Sequence, residues 1–179
     1  VCIHQDHKDK GNVYSPADID NDFRLLKEIG ANCVRFAHYQ HPQYTYDKAD
    51  EAGLIGWAEN AVVDSINDTP EYLANSRQQL QELIRQSYNH PSIIIWAISN
   101  EILLRPSTPA NANILSFVTN LNTLSHMEDP TRLTINSCAN NLQDDPVNFV
   151  ADLAGFNRYN GWYYQKVADF ATGADQENA

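Results

Sequence analysis

One stretch restricts the fold more than any other: His90-Pro91-Ser92-Ile93-Ile94-Ile95-Trp96-Ala97-Ile98-Ser99-Asn100-Glu101. It opens on a turn dipeptide, runs through near-continuous apolar residues, and stops on an amide followed by a carboxylate. A β-branched run bounded by turn residues predicts a strand buried on both faces, as in parallel sheets. A carboxylate at the carboxyl end of such a strand is where barrel enzymes keep their chemistry. By itself the Asn100-Glu101 pair fits a helix start after a strand equally well, with the acid near a helix N-terminus.

The flanking chain alternates strand and helix. Residues 1–7 predict a short strand that turns polar at its end. Ser15-Pro16-Ala17-Asp18 combines an N-cap serine, a proline at the first helical position and an acid three residues after the cap. Ile19, Phe23, Leu26 and Ile29 then recur at helical spacing until Gly30. Strands follow at 33–37, ending in His38-Tyr39, and at 54–58, ending in Glu59, separated by a helix over 43–52 that stops at Gly53. Thr69-Pro70-Glu71 caps a helix running to about Tyr88, and another spans Ala112 to Leu124. Strands at 133–137 and 153–157 flank a turn or short helix begun by Asp144-Asp145-Pro146. An aromatic loop covers Tyr159 to Tyr164. The tail after Phe170 is small and polar and is expected to fray. The division is therefore 1–170 as one domain and 171–179 as a tail.

Such alternation predicts parallel βαβ units with right-handed crossovers. An open doubly wound sheet usually carries a glycine-rich turn after its first strand, and none is present among only 7 glycines. Polar residues at the end of strand after strand favour the α/β (β/α)8 TIM-barrel type. Only about six β/α units fit in 179 residues, so the barrel is expected to be truncated.

Charge narrows the partners. A formal net charge of -11 repels nucleic acid and anionic membrane surfaces, but leaves a neutral sugar unaffected. No apolar run approaches the ~18 residues of a membrane span. The cysteines, Cys2, Cys33 and Cys138, form no CxxC pair. Cys2 and Cys33 lie in strand-like apolar settings that suggest buried thiols.

The groups at the predicted strand ends are His4, Arg35 with His38 and Tyr39, Glu59, Asn100 with Glu101, and Asn157 with Tyr159. Trp57, Trp162 and Tyr163 add flat apolar surfaces. Hydrogen-bonding groups beside aromatic faces suit a carbohydrate, which offers hydroxyls and apolar ring faces. Any one of these residues alone has a structural explanation: His4 as a loop cap, Arg35 paired with an acid, Tyr159 as core. Their recurrence at successive strand ends favours a site.

The order His4-Gln5-Asp6-His7, Arg35-Phe36-Ala37-His38-Tyr39, Asp50-Glu51-Ala52-Gly53-Leu54, Asn89-His90-Pro91-Ser92, Trp96, Asn100-Glu101 and Phe156-Asn157-Arg158-Tyr159 resembles the catalytic barrel of glycoside hydrolase family 2. That family includes β-galactosidases, β-glucuronidases and β-mannosidases, and the resemblance covers about residues 1–165. It implies a retaining glycosidase of β-galactosidase-like character, with two carboxylates about 5–5.5 Å apart acting through a glycosyl-enzyme intermediate. By this resemblance Glu101 is the acid/base and Asn100 binds the sugar 2-hydroxyl. His4 and His38 bind hydroxyls, Arg35 and Tyr159 hold the nucleophile, and Trp162 lines the rim. Glu59 matches a family acid after the third strand, or else forms a structural ion pair.

No cofactor is implied. Val63-Asp64-Ser65 stands where some members carry a Glu-x-His magnesium pair, so no such metal site is expected. The family nucleophile, a glutamate ending the seventh strand, falls beyond residue 179. Glu177, with no strand before it, is not a substitute. The expectation is a segment inactive by itself, associating with further domains of a parent enzyme or with itself through exposed strand edges. A β-glucuronidase or β-mannosidase parent and a non-catalytic sugar-binding domain stand as alternatives.

Overall fold

The computed structural model describes residues 1–138 and 145–177. Six parallel strands pair in sequence order: β1 (Cys2–Ile3), β2 (Cys33–Phe36), β3 (Ile55–Glu59), β4 (Ile93–Asn100), β5 (Leu133–Cys138) and β6 (Leu153–Phe156). Between them run α1 (Pro16–Glu28), α2 (Gln43–Ala52), α3 (Pro70–Ser87) and α4 (Ile114–Glu128), with a 3-10 turn at Pro146–Phe149 before β6. The result is six β/α units of a TIM barrel, an open half-barrel with the helices on its outer face.

Local chemistry explains the boundaries. Ser15 caps α1 by accepting from the Asp18 backbone N–H, while the Asp18 carboxylate accepts from the Ser15 N–H. The Thr69 hydroxyl caps α3 by accepting from the Tyr72 N–H. Gly53 ends α2 in the left-handed region at φ +65°, where a side chain would be strained.

The core lies between the outer sheet face and the helices. Val34, Phe36, Ala58, Ile93 and Trp96 from the strands meet Ile19, Phe23, Tyr46, Leu80, Ile84 and Leu121 from the helices, all nearly inaccessible. Gly56 is small because it must be: a Cβ there would lie 2.9 Å from the Phe36 ring and 3.2 Å from the Ser92 carbonyl.

Two motif segments turn out to be joints. The Asp50 carboxylate accepts from the Ser92 N–H at 2.9 Å and contacts His90 Nδ1 at 2.7 Å, tying the end of α2 to the start of β4. Trp96 Nε1 donates to Asp129 Oδ2 at 3.0 Å, and Arg132 reaches the same oxygen at 2.8 Å. Burial alone would raise the Asp129 pKa, but hydrogen bonds from Thr131, Trp96 and Arg132 outweigh it and hold the carboxyl well below the usual range.

Several sequence expectations need correction. Cys2 is exposed and Cys33 half-buried, leaving only Cys138 inside. Cys2 and Cys33 lie in register with inner-face residues, Arg35 and Ile55, and the inner face is open to solvent at the strand starts. Ile55 and Leu133 are accordingly about half exposed. Ile94, expected to be buried, is 43% exposed, because the register slips between Gly56 and Trp57 and the β3–β4 pairing skips it. Phe170–Glu177 forms a terminal helix, α5. Asp144, read as part of a turn, and the last tail residues 178–179 lie outside the described residues.

Candidate active site

Strand register decides which side chains converge. Arg35 pairs with Trp57, Glu59 with Ala97, Asn100 with Ser137, and Ser137 with Gly155. In a parallel sheet, paired residues share a face, so one run of inner-face positions crosses five strands at their carboxyl ends. The sheet slips again between Ala97 and Ser99, and this bulge re-aims Asn100 toward the inner face.

Arg35 is the hub. Its Nε donates to Glu59 Oε1, Nη1 to Asn157 Oδ1 at 2.6 Å, and Nη2 to Asn100 Oδ1 at 2.7 Å and Ser137 Oγ at 3.3 Å. One guanidinium thus joins β2, β3, β4, β5 and the residue following β6. Its fixed fork of donors suits it to this role in a way a lysine could not match. Trp57 supports it from one side, with the guanidinium carbon 4.4 Å from the ring centroid. Trp57 is therefore the floor of the site and not a rim surface. Gly155 makes room for that floor: a Cβ there would come 3.1 Å from Trp57.

Glu59, 2% exposed, also accepts from His38 Nδ1 at 2.6 Å. The sequence left Glu59 between a family acid and a structural pair; the structure places it in a buried pair inside the cluster. His4 stands edge-on to His38 at 5.1 Å, and burial beside a second imidazole lowers its pKa. Ser137 was not singled out from sequence, although its position at the end of a Leu-Thr-Ile-Asn-Ser strand was a signal of the same kind as the others.

Glu101 has φ +52°, the left-handed region that a non-glycine residue adopts only when its surroundings impose it. Its N–H donates to the Ser137 carbonyl at 2.7 Å, and its Oε1 accepts from Asn157 Nδ2 at 2.7 Å. That same Nδ2 lies 2.9 Å from Asn100 Oδ1. Asn157 therefore couples the Glu101 carboxyl to the Arg35 cluster. Tyr159 is half-buried nearby, and burial together with the Glu101 charge pushes its phenol up to about 12. Its ring meets Tyr163 edge-on at 5.1 Å, and Tyr163 in turn meets Trp162. Trp162 is 80% exposed, on the loop beyond β6. Among the described residues, Asp47, Asp50 and His90 bring potential metal-ligand atoms within 4.8 Å of one another. Asp50 and His90 are already engaged in the α2–β4 joint.

The family model described as Glycosyl hydrolases family 2, TIM barrel domain, matches residues 1–178. The chain belongs to this family. A β-glucuronidase of Bacteroides fragilis is 39% identical over 98% of the family 2 chain described here, which spans 25% of that relative. A β-galactosidase of Thermoanaerobacterium thermosulfurigenes is 32% identical over 73% of this family 2 segment and 17% of its own length. The structure of Bacteroides uniformis β-glucuronidase 2, covalently bound to cyclophellitol-6-carboxylate aziridine, superposes with a TM-score of 0.89 and 32% identity, covering 99% of this chain and 23% of that one. The family 2 segment thus spans a quarter or less of the length of these relatives.

Proposed function

We propose that this segment is the acid/base half of a retaining β-glycosidase active site, and that its parent hydrolyses terminal β-glycosides. The observation that carries the reading is Glu101, held at the end of β4 in a left-handed turn and hydrogen-bonded by Asn157. In the first step Glu101 protonates the departing glycosidic oxygen while a nucleophilic carboxylate, supplied from outside residues 1–179, attacks the anomeric carbon. In the second step the ionised Glu101 takes a proton from water, whose oxygen displaces that carboxylate. An acid working near neutrality needs surroundings that favour its protonated form.

Asn100 Oδ1 already accepts from Arg35 and Asn157. The donor its amide has left to offer is Nδ2, the group required to hold a sugar 2-hydroxyl. Arg35 is committed to its cluster, so it orients its neighbours and the incoming nucleophile rather than serving as a free anion receptor. His4 and His38 bind hydroxyls, and Trp162 extends the rim toward the leaving group. No cofactor enters the reaction.

The sequence resemblance leaned toward a β-galactoside. Relatives 39% and 33% identical to this chain carry β-glucuronidase names, which makes a β-glucuronide the leading substrate. The β-galactosidases among the relatives keep a β-galactoside as the second reading.

Nitrophenol release from the two aryl glycosides, by the intact protein carrying this sequence, distinguishes them. Glu101→Gln should lower turnover about 10²-fold or more. Azide, which attacks the glycosyl-enzyme without a general base, should restore it. Undiminished turnover in Glu101→Gln would sink the assignment. Residues 1–179 alone should be inactive, since the covalent step lacks its nucleophile.

A further inference from the structure

His41 belongs to no part of the proposed mechanism, yet it is a buried polar side chain, at 3% exposed. It lies in the loop between β2 and α2. Its backbone N–H donates to the Tyr46 hydroxyl at 2.9 Å, which anchors it to the core. Its ring stacks on Tyr39, with centroids 5.5 Å apart and planes 16° apart, and meets Phe36 edge-on at 5.5 Å. Its Nε2–H donates to the Ala37 carbonyl at 3.1 Å. Its Nδ1 is buried with no partner. Burial holds the imidazole neutral, pushing its pKa down to about 4. With Nε2 committed as donor, the proton stays on that nitrogen and the tautomer is fixed.

What His41 grips matters more than its burial. The Ala37 carbonyl belongs to the peptide that carries His38, and His38 Nδ1 reaches Glu59 at 2.6 Å. The stacked Tyr39 ring takes the Gln5 N–H on its hydroxyl at 3.2 Å and faces His4 at 6.3 Å. Ala37 is fully buried, so its carbonyl stays unpaired if an apolar ring takes the place of the imidazole. The four residues 37–40 thus carry two site rings on a turn clamped from beneath by one neutral histidine.

We infer that His41 is a positioning residue: through the Ala37 carbonyl it sets the direction in which His38 approaches Glu59. It touches no substrate. The activity arm of the test rests on the glycosidase reading above, and the spectroscopic arm does not.

Two substitutions separate the donor from the ring. His41→Phe keeps the stack on Tyr39 and loses the donor. His41→Gln loses the ring but places an amide N–H near the Nε2 position. In histidine-labelled protein, the His38 Nδ1 proton bonded to Glu59 is followed by long-range 1H–15N NMR, with Tm as the control for folding. Phe fills the same space and should keep a cooperative transition, with Tm lowered by a few degrees for the unpaired Ala37 carbonyl. It should nevertheless displace the His38 Nδ1 signal and lower kcat/KM about tenfold, the order of one mis-set hydrogen bond. Gln should restore the signal and bring kcat/KM back to within about threefold.

Unchanged His38 signals in the Phe variant, or a Gln variant displaced as far as Phe, would overturn the inference and leave His41 a core residue. If Phe prevents folding, His41→Asn replaces it, because its shorter amide cannot reach the Ala37 carbonyl. The same contrast with Gln then decides. An inactive wild type that retains the spectroscopic contrast would refute the glycosidase reading while supporting the role of His41.

Discussion

Removing the Arg35 guanidinium tests whether the site is held together by one buried cation. Arg35 is 9% exposed and Glu59 2%, so their pairing is poorly screened by solvent. Arg35→Met keeps an apolar stem but takes the guanidinium off Trp57 and strips donors from Glu59, Asn157, Asn100 and Ser137. Breaking a buried ion pair by removing one partner costs about 3–5 kcal/mol, mostly from the uncompensated charge left behind. Glu59 retains His38 at 2.6 Å, which puts the expected loss near the lower end, about 3 kcal/mol. At about 2–4 °C per kcal/mol for a chain of this size, Tm should fall by roughly 6–12 °C. The double variant Arg35→Met/Glu59→Gln removes the stranded charge as well, and should recover at least about 1 kcal/mol of that loss. Urea unfolding of the wild type, both single variants and the double variant at pH 7, with m values compared, closes the cycle. If Arg35→Met costs under about 1 kcal/mol, or the two substitutions simply add, the cluster is not held by this pair.

Two further outcomes follow from the geometry. Asp129 has its native pKa depressed, so its contribution is fully present above the unfolded carboxylate range and is lost as pH falls through about 4 toward the depressed value. Asp129→Asn should cost about 2 kcal/mol at pH 7 and less at pH 3, where the loss of its contribution has begun, as read by urea melts; equal losses at both pH values would contradict the assignment. Gly155→Ala pushes a methyl to 3.1 Å from Trp57 and 3.2 Å from Ser137 Oγ. It should lower stability by about 1–3 kcal/mol and reduce turnover by shifting the Arg35 floor. Unchanged kinetics would show that the floor yields without disturbing the site.

The sequence by itself determined the strand–helix alternation, and hence the barrel type, because period, caps and glycine stops are local properties of the chain. It also placed polar residues at strand ends, since a run such as Ile93–Ile98 closing on Asn100 is visible without any partner. The bulge between Ala97 and Ser99 could not be read there, because a register shift belongs to two strands at once. Nor could the burial of Glu59, which depends on Arg35 and His38 arriving from another strand, or the place of Trp57, which pairing assigns to a face. The openness of Cys2 and Ile55 follows from the inner face of a six-stranded half-barrel, a property of closure rather than composition. His41 shows the same division: its sequence neighbourhood carries no signal, and only the folded loop brings its Nε2 to the Ala37 carbonyl. Local chemistry wrote the elements, and the long-range pairing of inner-face residues decided which of them form the site.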